Sequence, residues 1–529
     1  MMPQVLPHDD AERTGSKDPA RPLSCDVVGA GGIDGGRSST ALAWWFLAVA
    51  LVAGLAFMAV IPPGGGPDEP NHFRRVWQLA HGQVSPAVAP DGEVLESFPA
   101  CDALYLERMQ AHPVPFPRQS LWHTPAGCAG RRPITVSMGN TALNSPATYL
   151  APAAAVAVAV RVGLGVPGQF LAARLASLAA FLAIVFVALR LAPARWRPLL
   201  FLVACLPVSL ELASTVSSDG MPIALSLLAV ALVLRLRADP DAPGWWTAAL
   251  GVTLVVLAVS KNTYGPLALL IFLVPAERFG VPGAQRWLKR LAAPALAVLL
   301  VGWWASQTHR IRHVMQPAGP FAHVDLREQM LWVVHHPVGF LDAVARGMQS
   351  GKALDSVALG AVHHYYIVRA TGPFAKVPPL TGQVLGALAL ALAVALVIGS
   401  LVSGERGSEV DVGGPGAAGP ITGIRTGTRH AIELAVLVVV AIATTLLIDV
   451  GVYASVDPIG SKSVALVQGR YFIELFPLVA LAVAIVRKER PGNVRWHAVV
   501  AVAGSVVLLT AALVGTNQFF YTWRLVQPA

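Results

Sequence analysis

Residues 41–73 read ALAWWFLAVALVAGLAFMAVIPPGGGPDEPNHF. A hydrophobic run from Ala41 to Ile61 carries no charge and is long enough to cross ~30 Å of hydrocarbon. It ends abruptly in Pro62-Pro63-Gly64-Gly65-Gly66-Pro67, where prolines and glycines keep the backbone irregular. Asp68, Glu69, His72, Arg74 and Arg75 follow at once. The next apolar residues, Phe73, Val76, Trp77 and Ala80, recur at helical spacing and predict a short amphipathic helix lying in the membrane interface, its apolar side in lipid. Asp68 and Glu69 stand four and three residues before His72, so all three can point one way. Asp68 is also well placed to cap that helix through its side-chain oxygens. Capping and chemistry both fit the spacing.

Similar apolar runs recur throughout the chain. Of 529 residues, 55% are hydrophobic and 13% charged, and mean hydropathy is +0.59. This composition predicts an all-α polytopic membrane protein. The formal charge of +9 lies largely in short loops, where it orients spans, so no nucleic-acid partner is expected. Membrane lipids are its surroundings. No cleavable signal peptide is expected, because about 40 polar residues precede the first span.

About eleven spans are expected: Ala41–Ile61, Gln169–Leu191, Pro198–Ala213, Met221–Leu236, Trp245–Ser260, Tyr264–Ala276, Leu291–Ala305, Val384–Leu401, Ala431–Val450, Phe472–Val486 and His497–Gly515. The Ala-rich segment Ser145–Gly163, carrying Arg161, is read as juxtamembrane or re-entrant. That choice places Arg195, Arg197, Arg235, Arg237, Lys289 and Arg290 inside, as cytoplasmic loops prefer. The expected organisation is then a disordered cytoplasmic tail over 1–40 and a transmembrane domain over 41–515, followed by an exterior tail over 516–529. Exterior loops occupy 62–168 and 306–383, and a flexible Gly-rich cytoplasmic linker occupies 404–430. Cys101 and Cys128 share the first exterior loop, and an oxidising compartment would allow them to pair.

This topology gathers polar residues at the outer span ends. Asp68, Glu69, His72 and Arg75 are joined by Ser217-Ser218-Asp219, Lys261-Asn262-Thr263-Tyr264 and Gln468-Gly469-Arg470-Tyr471, while Arg174 lies one turn inside the second span. Ionisable groups at such positions mark functional sites, although interfacial snorkelling and structural ion pairs use the same residue types.

The motifs Pro67-Asp68-Glu69-Pro70-Asn71-His72-Phe73, Ser217-Ser218-Asp219, Lys261 to Tyr264 with Pro266, and Val467-Gln468-Gly469-Arg470-Tyr471-Phe472 resemble, in order and spacing, a bacterial multi-pass membrane family catalogued as domain of unknown function twenty-one forty-two. The resemblance runs from about Trp44 to Ile485. That family in turn resembles the GT-C superfamily of glycosyltransferases. The resemblance implies a GT-C-like fold in the bacterial cell membrane, N-terminus cytoplasmic and active site outside. It also implies a polyprenyl-phosphate sugar donor and a glycan or lipid acceptor, with catalysis at Asp68 and Glu69 beside it. A divalent ion, Mg or Mn, is the cofactor these two carboxylates could hold. His72, Arg75, Arg174, Asp219, Lys261, Tyr264, Gln468 and Arg470 are the expected substrate-binding residues. A transporter or flippase for polysaccharide or lipid-linked precursors, and a non-catalytic envelope-assembly protein, are the rival expectations.

Overall fold

The computed structural model describes residues 34–90, 94–111, 123, 127, 132–311, 325–349, 380–402, 420–465, 467–486, 494–517 and 520. Its principal helices are α1 (Asp34–Val60), α2 (Glu69–Ala80), α3 (Ala100–Ala111), α4 (Leu150–Arg161), α5 (Val166–Leu191), α6 (Arg197–Ala204), α7 (Pro207–Ser214), α8 (Gly220–Ala238), α9 (Trp245–Ser260), α10 (Gly283–Thr308), α11 (Leu326–His335), α12 (Pro337–Gln349), α13 (Leu380–Val402), α14 (Pro420–Val456), α15 (Leu478–Val486) and α16 (Val494–Asn517).

Among the described residues, seven helical segments are long and apolar enough to cross a membrane, and the chain is a multi-pass membrane protein. A further apolar pair, α6 and α7, has the length of a broken span or a re-entrant loop: its halves meet at 63°, where Cys205-Leu206 precede Pro207. Shorter apolar segments at Trp245–Ser260, Asn262–Leu273 and Ala387–Ile398 occupy the remaining expected span positions, so eleven stands as an approximate count. Asn262–Leu273 is an unusually long 3-10 helix, with Pro266 inside it. The 12 residues of α4 rise roughly 18 Å, well short of the hydrocarbon thickness.

The helices define two ends. At one, arginines cap helix C-terminal carbonyls. Arg237 donates to the Leu273 carbonyl at 2.8 Å and pairs with Glu433 at 2.9 Å, while Arg278 donates to the Leu236 carbonyl at 3.1 Å. At the other end, the last turn of α1, the start of α8 and the end of α9 meet beneath a cap built from residues 62–90, 94–111 and 132–149.

That cap corrects the expectation for α2. Its apolar side does not face lipid: Phe73 and Val76 are fully buried, with Phe73 packed on Phe170 of α5 at 4.8 Å between ring centroids. Trp77 packs on Phe98 at 4.3 Å. Phe98 belongs to an antiparallel pair of strands, β1 (Leu95–Phe98) and β2 (Ile134–Ser137), in which Leu95 faces Ser137. Hydropathy did not reveal that short sheet. It packs over the Trp77 side of α2, so protein rather than lipid covers that face. Gln78 Nε2 donates to Glu96 at 3.0 Å and joins the two layers. Cys101, in α3, is disulfide-bonded, and Cys128 lies outside the described residues.

Candidate active site

Asp68 and Glu69 are adjacent but have different surroundings. Glu69 is fully buried at the start of α2. Its Oε1 accepts from Arg174 Nε (2.8 Å) and the Val216 amide (2.8 Å). Its Oε2 accepts from Arg174 (2.6 Å) and from the Gly64 and Gly66 amides (3.0 and 3.1 Å). Arg174 is fully buried too, and its remaining donors reach the carbonyls of Met58, Ile61 and Pro62. These groups therefore bind α1, the Pro-Gly loop, α2, α5 and the segment after α7 together. Five donors saturate the Glu69 carboxylate. The expectation that Glu69 takes part in catalysis or holds a metal, and that Arg174 binds substrate, does not fit this geometry.

Asp68 is only half-buried. It occupies the N-cap position of α2, yet its side chain makes no capping hydrogen bond. Its backbone is left-handed, at φ 52°, alone among the described non-glycine residues. Such a conformation costs on the order of 1–3 kcal/mol and persists only where surroundings enforce it. The Glu69 lock supplies that enforcement on the C-terminal side. On the other side, a Cβ at Gly66 would come within 2.8 Å of Thr215, so only glycine lets the loop approach this closely.

Opposite Asp68 lies a charged cluster. Asp219 accepts from Lys261 Nζ at 2.7 Å and lies 3.8 Å from Arg470. Ser218 Oγ donates to the same carboxylate at 3.3 Å. Burial alone would raise the Asp219 carboxyl, but Lys261 and Arg470 outweigh it and hold it well below the usual carboxylate range. Burial likewise opposes the Lys261 charge, and Asp219 reverses that effect and raises the ammonium above its ordinary value. Tyr471 lies against both cations, its ring centroid 4.7 Å from Lys261 Nζ and 5.1 Å from the Arg470 guanidinium carbon. Asp68 is within electrostatic reach of Arg470 and His72.

His72 is buried between these groups. Burial lowers it to about 4 despite the nearby Asp68 and Asp219 carboxylates, so it is neutral at physiological pH. Its Nδ1 meets the Tyr149 hydroxyl at 2.6 Å, and Asn144 Nδ2 donates to that same hydroxyl at 3.1 Å. One ring nitrogen is thus engaged by the cap.

The structure therefore brings Asp68, His72, Asp219, Lys261 and Arg470 together. Tyr264 flanks them, donating to the Tyr471 carbonyl at 3.2 Å. Gln468 is buried two residues before Arg470, with no partner for its Oε1 among the described residues. Arg75 is held apart from the cluster. It is fully buried, donates to Gln78 and to the Val84 carbonyl (2.7 Å), and lies over Trp304. Among the described residues, no three His, Cys, Asp or Glu side chains are grouped to hold a metal ion.

Two neighbours escaped sequence reasoning. Glu474 is fully buried, and its electrostatic partners include Lys261, Asp219 and Tyr264. A carboxylate four residues after Arg470 inside an apolar stretch was the signal for it. Tyr149 gave none, being one aromatic residue at the start of an Ala-rich segment.

The chain matches the family described as "Predicted membrane protein (DUF2142)" over residues 51–482. It belongs to that family. All the clustered residues lie inside the match. No match was found among curated proteins. Among solved structures, the crystal structure of ArnT from Cupriavidus metallidurans bound to undecaprenyl phosphate is similar at 14% identity and a TM-score of 0.32, covering 89% of this chain and 76% of that one.

Proposed function

We propose that this DUF2142 protein is a GT-C-type membrane glycosyltransferase that moves a sugar from a polyprenyl-phosphate donor to an extracytoplasmic glycan or lipid acceptor. The observation that carries the proposal is Asp68: a half-buried carboxylate on a strained backbone, within electrostatic reach of the buried Arg470 guanidinium. An acceptor hydroxyl attacks the anomeric carbon while Asp68 takes its proton. The bond from that carbon to the phosphate oxygen breaks, and polyprenyl phosphate departs with the electron pair. Arg470 and Lys261 stabilise the negative charge that develops on it. Neutral His72 serves as a hydrogen-bonding partner rather than a cation. Glu69 and Arg174 hold the catalytic loop. The arginine-rich end faces the cytoplasm of the bacterial cell membrane under the positive-inside rule, and the site faces outward.

The test is glycan composition and linkage analysis of the cell envelope from wild type and a chromosomal Asp68→Asn variant at equal expression. Loss of one sugar or linkage, with accumulation of its polyprenyl-phosphate sugar, is expected. Unchanged glycans and lipid intermediates would remove Asp68 from the mechanism.

The break between α6 and α7, with buried Glu211 on α7, favours a transporter as the second reading. Purified protein in liposomes separates the two. A transferase converts donor and acceptor into product, whereas a transporter moves a labelled precursor across the bilayer without changing it.

A further inference from the structure

Tyr149 reaches the Asp68 cluster from the cap. It ends the 3-10 turn Pro146–Tyr149, which Ser145 caps by accepting from the Ala147 amide at 3.1 Å. Two further bonds fix this stretch against the site. Thr148 Oγ1 donates to the carbonyl of Ser218, the residue before Asp219, at 2.8 Å. Thr141 Oγ1 donates to the carbonyl of Asn71, the residue before His72, at 3.1 Å. Tyr149 is thus fully buried on a support tied to both sides of the cluster.

The partners of its hydroxyl determine where its proton points. Among the described residues there are two, Asn144 Nδ2 at 3.1 Å and His72 Nδ1 at 2.6 Å. A carboxamide nitrogen only donates, so the tyrosine oxygen accepts from Asn144. The hydroxyl proton is then left with one acceptor, His72 Nδ1. Burial holds this phenol well above its ordinary value, so it keeps its proton at neutral pH. His72 is neutral there and carries a single ring proton. Because Nδ1 accepts, that proton is on Nε2. Among the described residues Nε2 makes no hydrogen bond, which leaves its N–H for a ligand.

The tautomer decides what His72 can do. A lone pair on Nε2 would make the imidazole a second base, competing with Asp68 for the acceptor proton. An N–H at that atom can only donate, and it does so without adding charge.

We propose that Tyr149 is a positioning residue: oriented by Asn144, it fixes His72 as the Nε2–H tautomer, which bars the imidazole from acting as base and makes it a neutral hydrogen-bond donor to a phosphate oxygen of the polyprenyl-phosphate group. The contact with phosphate rests on the glycosyl-transfer reading; the tautomer does not.

Nitrogen NMR of the full-length protein in detergent, with isotopically labelled histidine rings, reads the tautomer directly, and His72→Gln identifies the His72 signals. Wild type should show a protonated Nε2 and a bare Nδ1. Asn144 is only half-buried, so Asn144→Asp tests the relay without disturbing packing. Its carboxylate accepts the Tyr149 proton, the tyrosine oxygen then accepts from His72, and the tautomer should invert to Nδ1–H. Tyr149→Phe removes the relay and should give a mixture of the two forms. Farnesyl phosphate, a short polyprenyl phosphate, should shift the Nε2–H signal in wild type, and that response should be lost in Asn144→Asp. An Nδ1–H tautomer in wild type, or one unchanged in both variants, would overturn the role of Tyr149. Farnesyl phosphate that binds wild type without shifting Nε2–H would overturn the donor role of His72. No binding to wild type at all would count against the glycosyl-transfer reading as well, while the tautomer is judged from the ligand-free spectra.

Discussion

Arg174 and Glu69, 105 residues apart in sequence, form a bidentate ion pair at 2.8 and 2.6 Å with neither side chain exposed. Through the Val216 amide, the same carboxylate reaches the segment carrying Asp219. One pair thus sets the relation between the Asp68 loop and the Lys261–Arg470 cluster.

Removing either partner should therefore be severe. Arg174→Ala leaves a buried carboxylate and three carbonyls short of donors, and a loss of about 3–5 kcal/mol is expected. Thermal unfolding in detergent measures it. Arg174→Ala protein that unfolds like wild type would show that the pair is not a structural lock.

Asp68→Gly should act in the opposite direction on stability. Glycine adopts φ 52° without a Cβ penalty, so relief of roughly 1 kcal/mol is expected. Transfer activity should vanish in the same variant, since the proposed base is gone. A higher melting temperature with no turnover is the expected pair of results, and a destabilised variant would indicate that the aspartate side chain supports the fold.

His72 predicts a pH dependence. Its folded value is depressed to about 4 from the ordinary 6.5, so between those values the unfolded chain binds more protons. Stability should fall as pH drops from about 6.5 towards 4, by up to roughly 3 kcal/mol from this group. His72→Gln should flatten that slope. Unfolding midpoints at several pH values provide the comparison, and equal slopes in both proteins would contradict the assignment.

Asp219 and Lys261 should be strongly coupled. Asp219→Asn alone removes the carboxylate between the buried Arg470 and the partly buried Lys261, and Lys261→Met alone removes its closer partner. The double variant should unfold less readily than the sum of single losses implies, with a coupling of about 1–3 kcal/mol. Additive losses would mean that the contact contributes little.

Chelation offers a further check on Glu69. Because five donors occupy its carboxylate, sugar transfer should continue in EDTA at an undiminished rate. Loss of activity restored by Mg or Mn would show a metal requirement that these carboxylates do not explain.

Hydropathy and the positions of proline and glycine determined much of this protein from sequence alone. Most spans, the boundary at Pro62 and the polar motifs at the span ends follow from the cost of placing charge and unpaired backbone in hydrocarbon. The motif order was enough to indicate the family. Sequence could not separate Asp68 from Glu69, because both are carboxylates within one helical turn of His72. Tertiary structure separated them: a left-handed turn at Asp68 leaves its side chain half-exposed, while Glu69 meets an arginine from α5. Nor could periodicity foresee that β1 and β2 would cover α2, since an amphipathic face looks the same whether lipid or protein buries it. Local chemistry set which groups were available; packing between distant segments decided which were buried and saturated and which stayed partly exposed.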